Sequence, residues 1–132
     1  MNCLGLDCGV KKTGIALGST ITRTARPLDC IAMQVNQVEL LLPFVQKWQI
    51  ELIVFGDPGD RPENKALLNH IVCVKKKLHN LLPSCQIVDW SEQWTSQEAR
   101  SMMRDFPRLQ KQYATDAIAA MLMLQSYLES CV

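Results

Sequence analysis

Net charge is almost absent from this chain: 14 Lys and Arg oppose 13 Asp and Glu over 132 residues, leaving +1. A field of that size does not draw a protein onto nucleic acid, so any such binding has to come from a local patch. Long apolar runs are lacking too, and none approaches the roughly 20 residues that span a bilayer. Met1-Asn2-Cys3 opens a strand pattern without the charged and apolar regions of a signal peptide, so the expectation is a cytoplasmic protein with no membrane partner. No CxxC pair occurs among Cys3, Cys8, Cys30, Cys73, Cys85 and Cys131, and His70 and His79 are not spaced with them as zinc ligands. The cysteines are expected as reduced, mostly buried thiols, with Cys8 accessible because it adjoins Asp7. There is no internal repeat, low-complexity segment or linker, and the length suits one domain, residues 1–132, around one core.

What is present starts with a hairpin. Cys3-Leu4-Gly5-Leu6 reads as an apolar strand that delivers Asp7 into a turn around Gly9; Lys11 and Lys12 follow, and Gly14-Ile15-Ala16-Leu17 returns as a second strand. An acid at the end of a buried strand is costly without a metal, a phosphate-bearing ligand or a cation. Asp and Gly also favour turns for local backbone reasons, so the turn reading stands beside the functional one.

Thr20 to Leu28 reads as a third strand completing an antiparallel meander. Asn36 to Gln49 has helical spacing, with Pro43 forcing a late start or a kink. Glu51 to Phe55 reads as a buried parallel strand and Pro62 to Leu82 as the longest helix, its Lys75-Lys76-Lys77 run mainly on the outer face. A strand at Gln86 to Val88 precedes a capping-box sequence at Thr95 that opens a helix reaching about Arg104. Thr115 is placed to cap a last helix over Asp116 to Glu129, its methionines expected as core filler. A meander followed by alternating helices and strands gives an α/β fold: a mixed sheet flanked by helices.

Two later acids could join Asp7. Glu92 follows a strand end, and Asp116 lies in the first turn of the last helix, where exposed backbone donors favour a carboxylate. A capping acid is the plain alternative for Asp116. Together the three offer the oxygen ligands that Mg²⁺ or Mn²⁺ requires, and two such ions can activate water and stabilise a leaving oxygen. The candidate nucleic-acid face is Lys11 and Lys12 in the first turn, with Arg100, Arg104, Arg108 and Lys111 before Asp116; a solvated surface is the competing reading.

The chain resembles the YqgF family of bacterial proteins, also described as Holliday-junction-resolvase-like proteins or pre-16S rRNA nucleases. The resemblance spans nearly the whole length. It is carried by Leu4-Gly5-Leu6-Asp7-Cys8-Gly9 through Lys12, Gly14-Ile15-Ala16, and Glu51-Leu52-Ile53-Val54-Phe55-Gly56. Val88-Asp89 with Glu92, Thr95-Ser96-Gln97-Glu98-Ala99, and Thr115-Asp116-Ala117-Ile118-Ala119-Ala120 through Leu128 complete it. It implies an RNase H-like fold and a divalent-metal-dependent nuclease with Asp7, Glu92 and Asp116 as metal-binding, catalytic acids. The implied substrate is structured nucleic acid, with ribosomal RNA precursor processing ahead of four-way DNA junction cleavage.

The chain departs from the family pattern at three places. Asp89 is separated from Glu92 by two residues, and Gln93 stands where the family has an arginine able to clamp a phosphate. Asp89 is therefore the fallback second acid, and slow turnover or a catalytically weak binding protein is an alternative outcome. The loop after Gly56 is unusual and leaves Asp57 as a turn residue or a fourth acid. Cys8 replaces a proline beside Asp7. An actin-like phosphate-binding ATPase shares the Asp-x-Gly turn but needs two such domains, which this length does not provide.

Overall fold

The computed structural model describes residues 1–91 and 101–131. The opening hairpin forms as the sequence predicts. Strand β1 (Asn2–Cys8) turns at Gly9 into β2 (Lys12–Ser19). The Gly9 amide donates to the Lys12 carbonyl at 2.7 Å, and a Cβ on Gly9 would stand 2.9 Å from that oxygen. Only a residue without a side chain closes this turn so tightly.

The third strand differs from expectation. Strand β3 spans Thr24–Ala32, beginning after a turn in which Arg23 takes a positive φ of 56° and continuing through Pro27. Pro27 is tolerated because β3 is the edge strand and the register slips there: Ile15 faces Asp29, yet Ala16 faces Pro27. Strands β4 (Ile50–Asp57) and β5 (Gln86–Ser91) complete a five-stranded sheet in the order β3-β2-β1-β4-β5. The first three strands are antiparallel, and β4 runs parallel to both β1 and β5.

The helix expected from Asn36 is shorter and mixed. A 3₁₀ segment, Val35–Leu41, leads into α1 (Leu42–Lys47), with Pro43 in the first turn, where a missing N–H breaks no bond. Helix α2 (Lys65–Leu81) follows a 3₁₀ turn, and α3 (Phe106–Leu109) is a single turn. Helix α4 (Thr115–Ser130) begins with Thr115 as its first helical residue rather than its cap.

Two apolar layers hold the sheet. Leu4, Leu6, Ile15, Ile53 and Phe55 point toward α1 and α2, with Ile71, Val74 and Leu78 closing that side. Cys3, Ala16, Leu52 and Val54 point the other way, toward α4. Period-two alternation puts Cys8 on the α2 side, where it is 5% exposed, so the expected accessible thiol is buried. Helix α4 is buried well beyond one stripe, because Phe106, Leu109 and Tyr113 belong to its cluster as well as the sheet. Met121 and Met123 lie inside it as packing residues. Among the described residues no helix is long and apolar enough to cross a membrane.

Candidate active site

The site is built around a missing side chain. Asp7 of β1 pairs in register with Gly14 of β2, and Gly14 pairs with Cys30 of β3. Residues paired across adjacent strands project to the same face, so Asp7 and Cys30 flank Gly14 on the α4 side. A Cβ on Gly14 would overlap the backbone carbonyl of Asp116 and stand 3.0 Å from the Ala117 amide nitrogen. The first turn of α4 therefore rests directly on Gly14, and Asp116 sits over the sheet between Asp7 and Cys30. Gly5 and Gly18 continue the track: a Cβ on either would come within 2.8 Å of Leu124 or Leu128 side chains. Gly14, Ala16 and Gly18 alternate along one face of β2, a period-two run of small residues that marks the seat of the helix.

The two acids are half-buried. The Cys30 thiol donates to Asp116 Oδ2 at 3.6 Å. Burial first, then the negative charge of Asp116 and this hydrogen bond, push the Cys30 thiol above its ordinary value. It stays protonated at neutral pH and acts as a donor. Lys12 acts on Cys30 in the opposite sense and shares the parity of Gly14 along β2, so a cation stands beside the acids. Sequence reasoning missed Cys30 and the structural part of Gly14; the cross-strand partners of Asp7 could not be known before the register was.

The remaining sequence candidates are placed as follows. Lys11, Arg104, Arg108 and Lys111 are exposed, and Arg108 lies 3.8 Å from Asp105. Glu92, Gln93 and Arg100 lie outside the described residues. Asp89 pairs with Phe55, so it belongs to the α2 side, where Lys75 Nζ contacts both its oxygens at 2.8 and 2.9 Å. The fallback acid is thus on the opposite face from Asp7 and Asp116, tied to a cation. Asp57 Oδ1 accepts from the Gly59 amide at 2.9 Å, the turn role the sequence allowed. Among the described residues no three His, Cys, Asp or Glu side chains stand close enough to hold a metal ion. Two carboxylates beside a protonated thiol provide hard oxygen donors, which suits Mg²⁺ or Mn²⁺ once a third oxygen ligand joins them.

A mixed five-stranded sheet in this order, flanked by helices on both faces, defines the RNase H-like fold class. Similarity to solved structures supports the fold. Thermus thermophilus RuvC in complex with a Holliday junction superposes with a TM-score of 0.64 at 12% identity, covering 98% of this chain and 94% of that one. The fowlpox virus resolvase bound to Holliday junction DNA gives 0.57 at 12% identity, with 98% of each chain covered. A family model described as "RuvX: Holliday junction resolvase" matches residues 1–130, and the chain belongs to that family. Its relatives include proteins named "Putative pre-16S rRNA nuclease" from Psychrobacter sp. and Staphylococcus epidermidis. The first is 35% identical over 95% of this chain and 76% of its own length, the second 31% identical over 96% and 94%.

Proposed function

We propose that this chain is a divalent-metal-dependent endonuclease acting on structured nucleic acid, and that its reaction is processing of the 5′ end of pre-16S rRNA. The observation that supports the reading is the seating of the Asp116 backbone on Gly14, the cross-strand partner of Asp7, which sets two acids distant in sequence on the same face of the sheet. Their relatives' names support the RNA substrate. Asp7 and Asp116 would hold Mg²⁺ or Mn²⁺, with Glu92 proposed from sequence as the third acid. When bound, such an ion lowers the pKa of a water and stabilises the leaving oxygen of a phosphodiester. Cys30 orients Asp116 through Oδ2. Lys11 and Lys12, with Arg100, Arg104, Arg108 and Lys111, would hold the backbone, whose charge gives such binding a steep salt dependence.

The experiment is cleavage of a labelled pre-16S 5′ leader RNA and, in parallel, a labelled four-way DNA junction, with Mg²⁺, with Mn²⁺ and with chelator. RNA cleavage that requires the metal, and that Asp7→Asn reduces by about a hundredfold or more, is the expected result. Asp7→Asn should remain folded and even gain stability, since it removes a repulsion between neighbouring acids. Cleavage of the junction but not the RNA would transfer the reading to the DNA substrate that the family description names. Undiminished cleavage by Asp7→Asn would remove Asp7 from the site.

A further inference from the structure

The two edges of the sheet are not alike. Strand β3 carries Pro27 and a register slip, both of which discourage a further strand from pairing with it. Strand β5, at the other edge, has neither. Gln86–Ser91 runs in unbroken register with β4, and among the described residues no strand pairs with its outer side. None of its six residues is fully buried, whereas six of the eight in β4 are. Beside this edge lies a groove of about 710 Å³, lined by Val72, Lys75, Lys76, His79 and Asn80 of α2 and by Ile87 of β5. Val72 is 51% exposed, an apolar side chain on an otherwise basic face. Helix α2 holds Lys65, Lys75, Lys76 and Lys77 and not one Asp or Glu. Asp89 of β5 takes up Lys75, while Lys76 and His79 make no ion pair among the described residues.

We propose that the outer edge of β5 and this groove dock an extended segment of a partner protein, in which glutamate alternates with apolar residues, as a sixth strand of the sheet. The proposal does not depend on the nuclease reading. A regular edge is a template for main-chain hydrogen bonds, which supply affinity, while contacts to alternate side chains supply specificity. A strand added beside β5 puts every second side chain on the α2 side. There a glutamate lays its methylenes on Val72 and Ile87 and directs its carboxylate to Lys76 or His79. The intervening apolar side chains fall on the other face, beside the half-buried Val88 and Trp90. Charge chooses among the occupants. A second copy of this chain, docked by the same face, would set Lys76 against its own counterpart, and like charges so opposed disfavour the pairing. A phosphodiester backbone answers the lysines but lacks the alternating donors and acceptors that a strand edge pairs with.

The probe is an acetylated, amidated octapeptide of alternating Glu and Val, titrated into the ¹⁵N-labelled full chain. Saturable shifts are expected in the amides of residues 72–80 and 86–91. The Kd should rise roughly three- to tenfold for Lys76→Glu combined with His79→Gln. Both positions are exposed, so the core is left intact. Two further peptides carry N-methyl groups on every Glu or on every Val nitrogen. Alternate residues of a strand bond to the same neighbour, so one methylated peptide should lose binding and the other keep it. Several results would overturn the proposal: no saturation by about 5 mM peptide, shifts that map away from these residues, or equal behaviour of the two methylated peptides. Equal binding by a peptide alternating Lys and Val would do the same. A short RNA duplex that shifts the same amides at lower concentration would transfer the face to nucleic acid, and a concentration-dependent dimer that shifts them would transfer it to a second copy.

Discussion

Replacing Gly14 by alanine tests the seat of Asp116 with one methyl group. The added Cβ would overlap the Asp116 carbonyl and stand 3.0 Å from the Ala117 nitrogen, whereas ordinary contact begins near 3.4 Å. Both atoms are backbone in the first turn of α4, so no side chain can swing away. The helix start has to retreat by about 1 Å, which is the order of the mismatch between the overlap and a normal carbon–oxygen contact. Overpacking of this kind costs about 1–3 kcal/mol, roughly 4 °C of melting temperature per kcal/mol for a chain this size. The larger effect falls on activity, because a displacement of about 1 Å in a reacting group can lower the rate about a hundredfold. Gly5→Ala is the control: its Cβ meets the Leu124 side chain at 2.8 Å and the Ala120 carbonyl at 3.3 Å, further along the same helix and away from the acids. The two variants should lose comparable stability by urea unfolding, while only Gly14→Ala should lose metal-dependent cleavage. Parental kcat in Gly14→Ala would refute the claim that the Gly14 gap positions Asp116.

Three further outcomes follow from the same geometry. Cys30→Ala should raise the Mg²⁺ concentration for half-maximal cleavage roughly threefold or more, whereas Cys30→Ser keeps a donor toward Asp116 Oδ2 and should restore the parental value; equal metal titrations would dismiss the thiol's role. Burial pushes Cys3 up to about 11, above its ordinary 9.0. The native state then holds a proton that the unfolded chain releases, so stability is fully present below about pH 9 and falls as pH rises from there toward 11. Urea midpoints at pH 8 and 10.5 should differ in the parent and differ less in Cys3→Ala. Lys11→Gln with Lys12→Gln should reduce the slope of log affinity against log salt by about 2 on duplex substrate, measured by anisotropy; an unchanged slope would leave those lysines as solvated surface.

Much of the fold was legible because it rests on local periodicity. Alternation in Asn2–Cys8 and Lys12–Ser19 fixes which residues face which side, and three- and four-residue spacing in Lys65–Leu81 marks the buried stripe of α2. Boundaries failed where a tertiary feature overrode composition. The β-branched stretch from Thr20 suggests a strand, but a positive φ at Arg23 makes a turn there, and Pro27 is admitted only because β3 is an edge with a register slip. Cys8 adjoins Asp7 in sequence but faces the opposite layer.

The sequence alone determined that an acid ends the first strand, that a second acid opens the last helix, and that small residues repeat at every other position of β2. It also carried the family resemblance. Only the tertiary structure decided that these features share one face of the sheet. Nothing local specifies which glycine a helix will rest on, because that choice is made by the packing of segments far apart in the chain. The seating of α4 sets the Asp116 backbone on Gly14, the register partner of Asp7, and its carboxylate against Cys30, and the sheet register sends Asp89 to Lys75 on the other face. The same packing leaves the buried His70 Nε2 without a hydrogen-bond partner among the described residues, a feature that no reading of His70 as one more position in a helical stripe could contain.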